Sequence, residues 1–157
     1  MAATARPNVS EDLVWEIVRS QNAYLVNRKS GGGVRFSRDP LNLTNIHSRK
    51  YSGFSNNKAL GIQAAENNGL TVSSKKPGSS NQPAKNISNT SVSGTTHTRK
   101  VYKGVANRTA LGGYRPDLRA EAVSRVSAIK LSQRPKKDTP ERKPRGAKAR
   151  KAAEKEE

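Results

Sequence analysis

The sequence predicts an α+β fold: a small antiparallel sheet with an N-terminal helix, followed by a C-terminal helical segment and a basic tail, disordered alone or ordered on a partner. Three observations carry this reading. An amphipathic run near the N-terminus is followed by short strand-like runs separated by Gly- and Asn-rich turns. A second amphipathic run opens at Pro116, and everything after Arg134 lacks apolar periodicity. Composition agrees, because 32% hydrophobic and 4% aromatic residues in 157 support a small core and leave other segments unable to offset the entropy of ordering them.

Residues 1–9 read as a polar arm. Ser10 stands where a helix N-cap is wanted, and Glu11 and Asp12 place negative charge in the first turn, which the helix dipole favours. Leu13, Val14, Ile17 and Val18 then make one apolar stripe, with Trp15 at its edge and the helix ending near Gln21 and Asn22. So short a helix is marginal alone and must dock. Tyr24-Leu25-Val26 and Val34-Arg35-Phe36 read as strands joined through Gly31-Gly32-Gly33, and Asn45 to Tyr51 as a third strand. Lys58 to Ala65 and Leu70 to Ser74 flank Asn67-Asn68-Gly69, a hairpin signal because Asn and Gly tolerate the positive φ of a type I′ turn.

Residues 10–75 are therefore expected to form one α+β RNA-binding domain. Residues 76–97, rich in Ser, Thr, Asn, Gly and Pro, read as a linker or long loop. Residues 98–133 read as a helical segment whose clearest helix starts at Pro116, a residue suited to a first turn. Leu118, Ala122, Val126 and Ile129 share one side of it, with Arg115, Arg119 and Lys130 on one shoulder and Arg125 on the other. Such shoulders suit phosphates, or are simply solvated. Residues 134–157 form a basic extended tail, with nine Lys or Arg, two acids and three prolines between 134 and 151.

Thirty Lys and Arg against twelve Asp and Glu leave a formal +18 and a pI near 10.8. Solubility is served by a net charge of about 2–8, so the natural counterpart is a polyanion. The absence of cysteine excludes disulfides and thiol chemistry and suits a reducing compartment. No apolar run approaches the roughly 20 residues that cross a bilayer, so the reading is a soluble intracellular chain with no membrane partner. His47 and His97 lack a neighbouring carboxylate in sequence, and the glycine run lacks a phosphate-loop ending. No catalytic residue, metal ligand, cofactor or small-molecule substrate is therefore expected.

What remains is recognition of an RNA backbone. The candidates are Arg28, Lys29 and Arg35 around the first hairpin, then Arg49, Lys50 and Lys58. Arg99, Lys100 and Lys103 open the helical segment, and Arg115, Arg119, Arg125 and Lys130 belong to the second amphipathic run. Arg134, Lys136, Lys137, Arg142, Lys143 and Arg145 lie in the tail. This spread fits embedding among several RNA segments better than reading one duplex. Tyr51 and Phe54 are candidates for base stacking or for the core.

Tyr114-Arg115-Pro116-Asp117-Leu118-Arg119, followed by Ala122, Arg125, Ser127-Ala128-Ile129 and Ser132-Gln133-Arg134-Pro135, resembles the C-terminal signature of the eukaryotic large-ribosomal-subunit protein twenty-eight family. Leu13, Trp15, Val18-Arg19, Asn22, Leu25-Val26, Arg28, Phe36-Ser37, Pro40 and Asn42-Leu43 look like the opening of the same family, so the resemblance covers roughly residues 11–135. It implies a structural ribosomal protein of the cytoplasm, with nucleolar transit during assembly. Its implied partners are large-subunit rRNA and neighbouring ribosomal proteins, and Arg115 and Arg119 are the implied RNA-facing motif residues. Two alternatives stand beside it. One is a nucleolar assembly factor sharing the N-terminal domain, though its expected long acidic C-terminal region is missing from this sequence. The other is a histone-like DNA-binding protein.

Overall fold

A computed structural model describes residues 9–79, 82–139 and 145–147. Helix α1 spans Glu11–Val18, and the Ser10 hydroxyl accepts the Leu13 N–H at 3.1 Å. It ends earlier than Gln21. The Asn22 side chain donates to the Val18 carbonyl at 3.1 Å and accepts the Tyr24 N–H at 3.0 Å, offering the backbone an alternative to another helical turn. The expected stripe is also rotated. Trp15 is the buried residue, whereas Leu13 and Ile17 are 48% and 68% exposed.

Strands β1 (Leu25–Asn27) and β2 (Arg35–Ser37) pair antiparallel across the three glycines, all at positive φ. Asn45–Tyr51 is not a strand. Its one ladder contact is an isolated bridge between Phe36 and Ile46. Asn45 sits at φ 58°, and the Asn42 side chain accepts the Thr44 and Asn45 N–H groups while donating to the Ile46 carbonyl at 2.9 Å. Side-chain bonds thus replace the ladder in a long loop from Arg38 to Lys58. The buried Asp39 carboxylate organises its far side, accepting the Leu41, Gly53 and Phe54 N–H groups at 2.9, 2.7 and 3.2 Å.

Strands β3 (Leu60–Ala64) and β4 (Leu70–Lys75) form the second hairpin. Asn67 and Asn68, at φ 53° and 57°, are the central residues of its turn, which the Gly69 N–H closes on the Glu66 carbonyl at 3.0 Å. The tight turn therefore lies one residue earlier than the Asn-Gly pair. The stretch expected to be a linker is largely structured. It holds a short helix α2 (Pro83–Asn86) and strand β5 (Ile87–Val92), which pairs antiparallel with β4 to complete a sheet ordered β3-β4-β5.

Helices α3 (Thr98–Ala110) and α4 (Arg119–Ser132) cover one face of this sheet. One core unites the halves of the chain: Leu43, Leu60, Ile62, Leu70 and Val72 pack with Val101, Val105, Leu118, Ala122 and Val126. Residues 98–133 are thus not a separate appendage to an N-terminal domain. On the opposite face the loop lies so close to β3 that a Cβ on Gly61 would stand 2.3 Å from the Pro40 carbonyl oxygen.

Candidate nucleic-acid interface

The basic residues nominated by sequence divide into two sets. The first converges on a cleft of about 570 Å³ between the start of α1, the end of the long loop and the Arg115–Asp117 turn. Here Arg49 pairs with Asp12, and Lys50 with Glu121 at 2.7 Å. Arg115 grips both oxygens of Asp117 at 2.8 Å, and donates further to the Lys58 carbonyl at 2.7 Å and the Lys50 carbonyl at 2.9 Å. Tyr114 donates its hydroxyl to the Ala59 carbonyl at 3.0 Å, beneath the Lys58 ammonium. Four cations, Arg49, Lys50, Lys58 and Arg115, thus meet four carboxylates, Glu11, Asp12, Asp117 and Glu121.

The titration of these groups reflects that pairing. The Arg115 hydrogen bonds hold the Asp117 carboxyl below its ordinary value, and the Lys50 ammonium does the same for Glu121. Arg115 is raised in turn by its bonds to Asp117, and Lys50 by its bond to Glu121. Burial pushes the Tyr114 phenol up. A cluster so balanced stitches the loop to the α3–α4 corner, with the Arg115 guanidinium bonded to Asp117 and to the Lys50 and Lys58 carbonyls.

Other nominated residues also turn inward. Arg125 donates to the Ile62 carbonyl at 3.4 Å, and Lys130 to the Asn68 carbonyl at 2.9 Å. Tyr51 packs against the core and bonds Glu121, and Phe54 lies 5.8 Å from the Tyr24 ring, so both serve packing. Lys75 was missed by sequence reasoning. Its ammonium donates to the Gly53, Phe54 and Asn56 carbonyls at 3.1, 3.3 and 2.8 Å, and burial lowers its pKa. Nothing in a Ser-Ser-Lys-Lys run distinguishes the lysine that folds back from the one that does not. Asp39 was missed too, although Ser37-Arg38-Asp39-Pro40 carries the turn chemistry that places it.

The second set is exposed and outside the four ion pairs found among the described residues. Arg28, Lys29 and Arg35 decorate the β1–β2 hairpin. Arg99, Lys100 and Lys103 lie on α3 away from its buried Val101, Val105 and Thr109. Arg119 opens α4, and Arg134, Lys136, Lys137 and Arg145 follow it. Exposed Arg38, Lys76 and Lys85 join them without having been nominated. Arg142 and Lys143 lie outside the described residues. Helix α3 carries four cations and no acid, two of them in the first turn, where the helix dipole disfavours positive charge. An external anion there relieves both costs.

Among the described residues there is no group of three or more His, Asp or Glu placed to hold a metal ion, and no helix long and apolar enough to cross a membrane. His47 serves the fold: its ring stacks 5.0 Å from Trp15, and Nε2 bonds the Arg19 carbonyl at 2.8 Å, beyond the end of α1.

Fold and surface together define a small α+β protein with one apolar core shared by both halves of the chain and with surplus cations that face outward. The sequence matches the Ribosomal L28e protein family over residues 13–132. A relative from Schizosaccharomyces pombe is 40% identical over 131 residues, 83% of this chain and 97% of its own length. One from Dictyostelium discoideum is 37% identical over 135 residues, 86% and 97% of the two chains. A third, from Caenorhabditis elegans, is 37% identical over 87 residues, 55% and 66%. All three are named large ribosomal subunit protein eL28. The chain belongs to the ribosomal L28e family.

Proposed function

We propose that this chain is a non-enzymatic, structural constituent of the cytosolic large ribosomal subunit, reached through nucleolar assembly and held by folded rRNA and neighbouring proteins. The observation that carries the reading is the placement of its surplus charge. Cations with no ion-pair partner among the described residues sit on the β1–β2 hairpin, along α3, at the start of α4 and after its end, on several elements instead of one groove. Such a distribution meets phosphates from several RNA segments, positioning the protein without reading sequence. Discrimination then comes from RNA shape and 2′-hydroxyl contacts. The names of the relatives support the same destination.

Arg28, Lys29, Arg35, Arg99, Lys103, Arg119, Arg134, Lys136 and Lys137 are the phosphate ligands of this proposal. Sedimentation tests it: the chain should co-migrate with polysomes after a high-salt wash. Recovery only in nucleolar pre-ribosomal particles would overturn the structural role in favour of a departing assembly factor. Equal affinity of the free protein for duplex DNA and folded rRNA would overturn the choice of RNA.

A further inference from the structure

Strand β5 closes one side of the β3-β4-β5 sheet, and its six residues, Ile-Ser-Asn-Thr-Ser-Val, pair with β4 in continuous register. Along its other side, no backbone group has a hydrogen-bonded backbone partner among the described residues. Edge strands are ordinarily blunted by a charge, a proline or a bulge. This one carries none of the three.

Beside that edge, a groove of about 220 Å³ runs between the sheet and α3, floored by Val72, Val92, Val101 and Val105. Lys100, Gly104 and Arg108 succeed one another at i, i+4 and i+8 along its wall, and no carboxylate among the described residues lines it. Gly104 is the telling residue. A Cβ there would meet nothing within 4 Å, so nothing among the described residues excludes alanine. Glycine in mid-helix nonetheless weakens the helix, and its usual recompense is close approach of another group to the backbone.

We infer that the open edge of β5 and this groove form a docking site for an extended, acidic segment of a neighbouring protein, which adds a fourth strand to the sheet. Strand addition satisfies the free N–H and C=O groups of β5. The side chains on the α3-facing side of the incoming strand, at every second position, include apolar ones that enter the valine-floored groove and carboxylates that meet Lys100 and Arg108 at its wall. RNA has no backbone that continues a ladder, and an apolar floor offers phosphate nothing. A second copy of this chain brings another +18 and sets two sets of Lys100 and Arg108 side by side.

The inference rests on the proposed place in the large subunit only in taking the neighbour from that particle. A benzophenone side chain at Asn89, which is exposed at the middle of the edge strand, is introduced into the full chain and photolysed in assembled subunits. The expected adduct is with a protein segment that carries apolar and acidic residues together on one strand face, at every second position. An adduct with rRNA, with a second copy or with this chain's own residues, or no adduct, overturns the inference. Separately, Gly104→Leu fills the groove wall while favouring the helix. The free chain should keep or raise its Tm, while retention on salt-washed subunits falls at least tenfold. Retention equal to wild type overturns the inference, whereas absence of the wild-type chain from subunits overturns the ribosomal reading instead.

Discussion

Replacing Arg115 separates its two candidate roles. Its guanidinium donates to the Lys50 and Lys58 carbonyls at 2.9 and 2.7 Å and forks onto Asp117. Hydrogen bonds from a charged group contribute about 1.5–3 kcal/mol each. The Asp117 pair adds less, because that side chain is 44% exposed and solvent screens it. Arg115→Ala is therefore expected to cost about 3–6 kcal/mol, which in a chain of this size lowers Tm by roughly 6–24 °C. Arg115→Lys keeps the charge but not the planar fork, since one ammonium cannot reach two carbonyls and a carboxylate together. It should lose at least half as much stability. The assay is thermal unfolding of the full chain by circular dichroism, alongside the salt dependence of binding to a large-subunit rRNA fragment. An Arg115→Lys variant with wild-type Tm, together with an Arg115→Gln variant whose salt slope falls by about 0.7–0.9, would refute the clamp and restore a phosphate contact.

Three further outcomes are expected. The Asp117 and Glu121 carboxyls titrate below their unfolded values, so their contribution is complete above the ordinary carboxylate range of about 4 and is lost as pH falls through the lowered folded values. Tm should hold between neutrality and pH ~5 and drop below ~4, and Glu121→Gln should flatten part of that acid limb in a pH series of melts. Gly61→Ala drives a methyl to 2.3 Å from a backbone carbonyl that no side-chain rotation relieves, costing about 1–3 kcal/mol or more, measurable as a lower urea midpoint at unchanged m-value. Arg99→Gln with Lys103→Gln removes two exposed cations from α3 without touching its core. Tm should be unchanged or slightly raised, while the salt slope of RNA binding falls by about 1.4–1.8.

The parts of the fold legible in sequence were those written in local chemistry. Ser10 before Glu11 and Asp12 marked α1, the Asn-rich turn marked the β3–β4 hairpin, and the spacing of Leu118, Ala122 and Val126 marked the buried face of α4. Strand β5 was not legible because only Thr90 and Val92 of its residues reach the apolar groove, so a run of Ser, Asn and Thr looks like linker. The Arg38–Lys58 loop escaped because Asp39, Asn42 and Lys75 hold it through side-chain bonds that leave no periodic trace. The surface was half legible for a related reason. Net charge reports how many cations lack a carboxylate in the chain, but not which. The Lys50 and Arg49 pairs depend on partners 71 and 37 residues away, which only the tertiary fold brings near.

The single core has a consequence for how the chain is made. The apolar faces of β3 and β4 are only partly covered, by Leu43, Val101 and Val105, until Leu118, Ala122 and Val126 arrive. With synthesis at ~5–20 residues per second, Leu60 precedes Val126 by roughly 3–13 s. Throughout that interval the nascent chain presents bare valines and leucines beside unneutralised cations. A product truncated before α4 stays in that state for good. Vectorial synthesis therefore makes α4 a checkpoint: only a chain extended through it can hide the surface that chaperones and proteases read as unfinished.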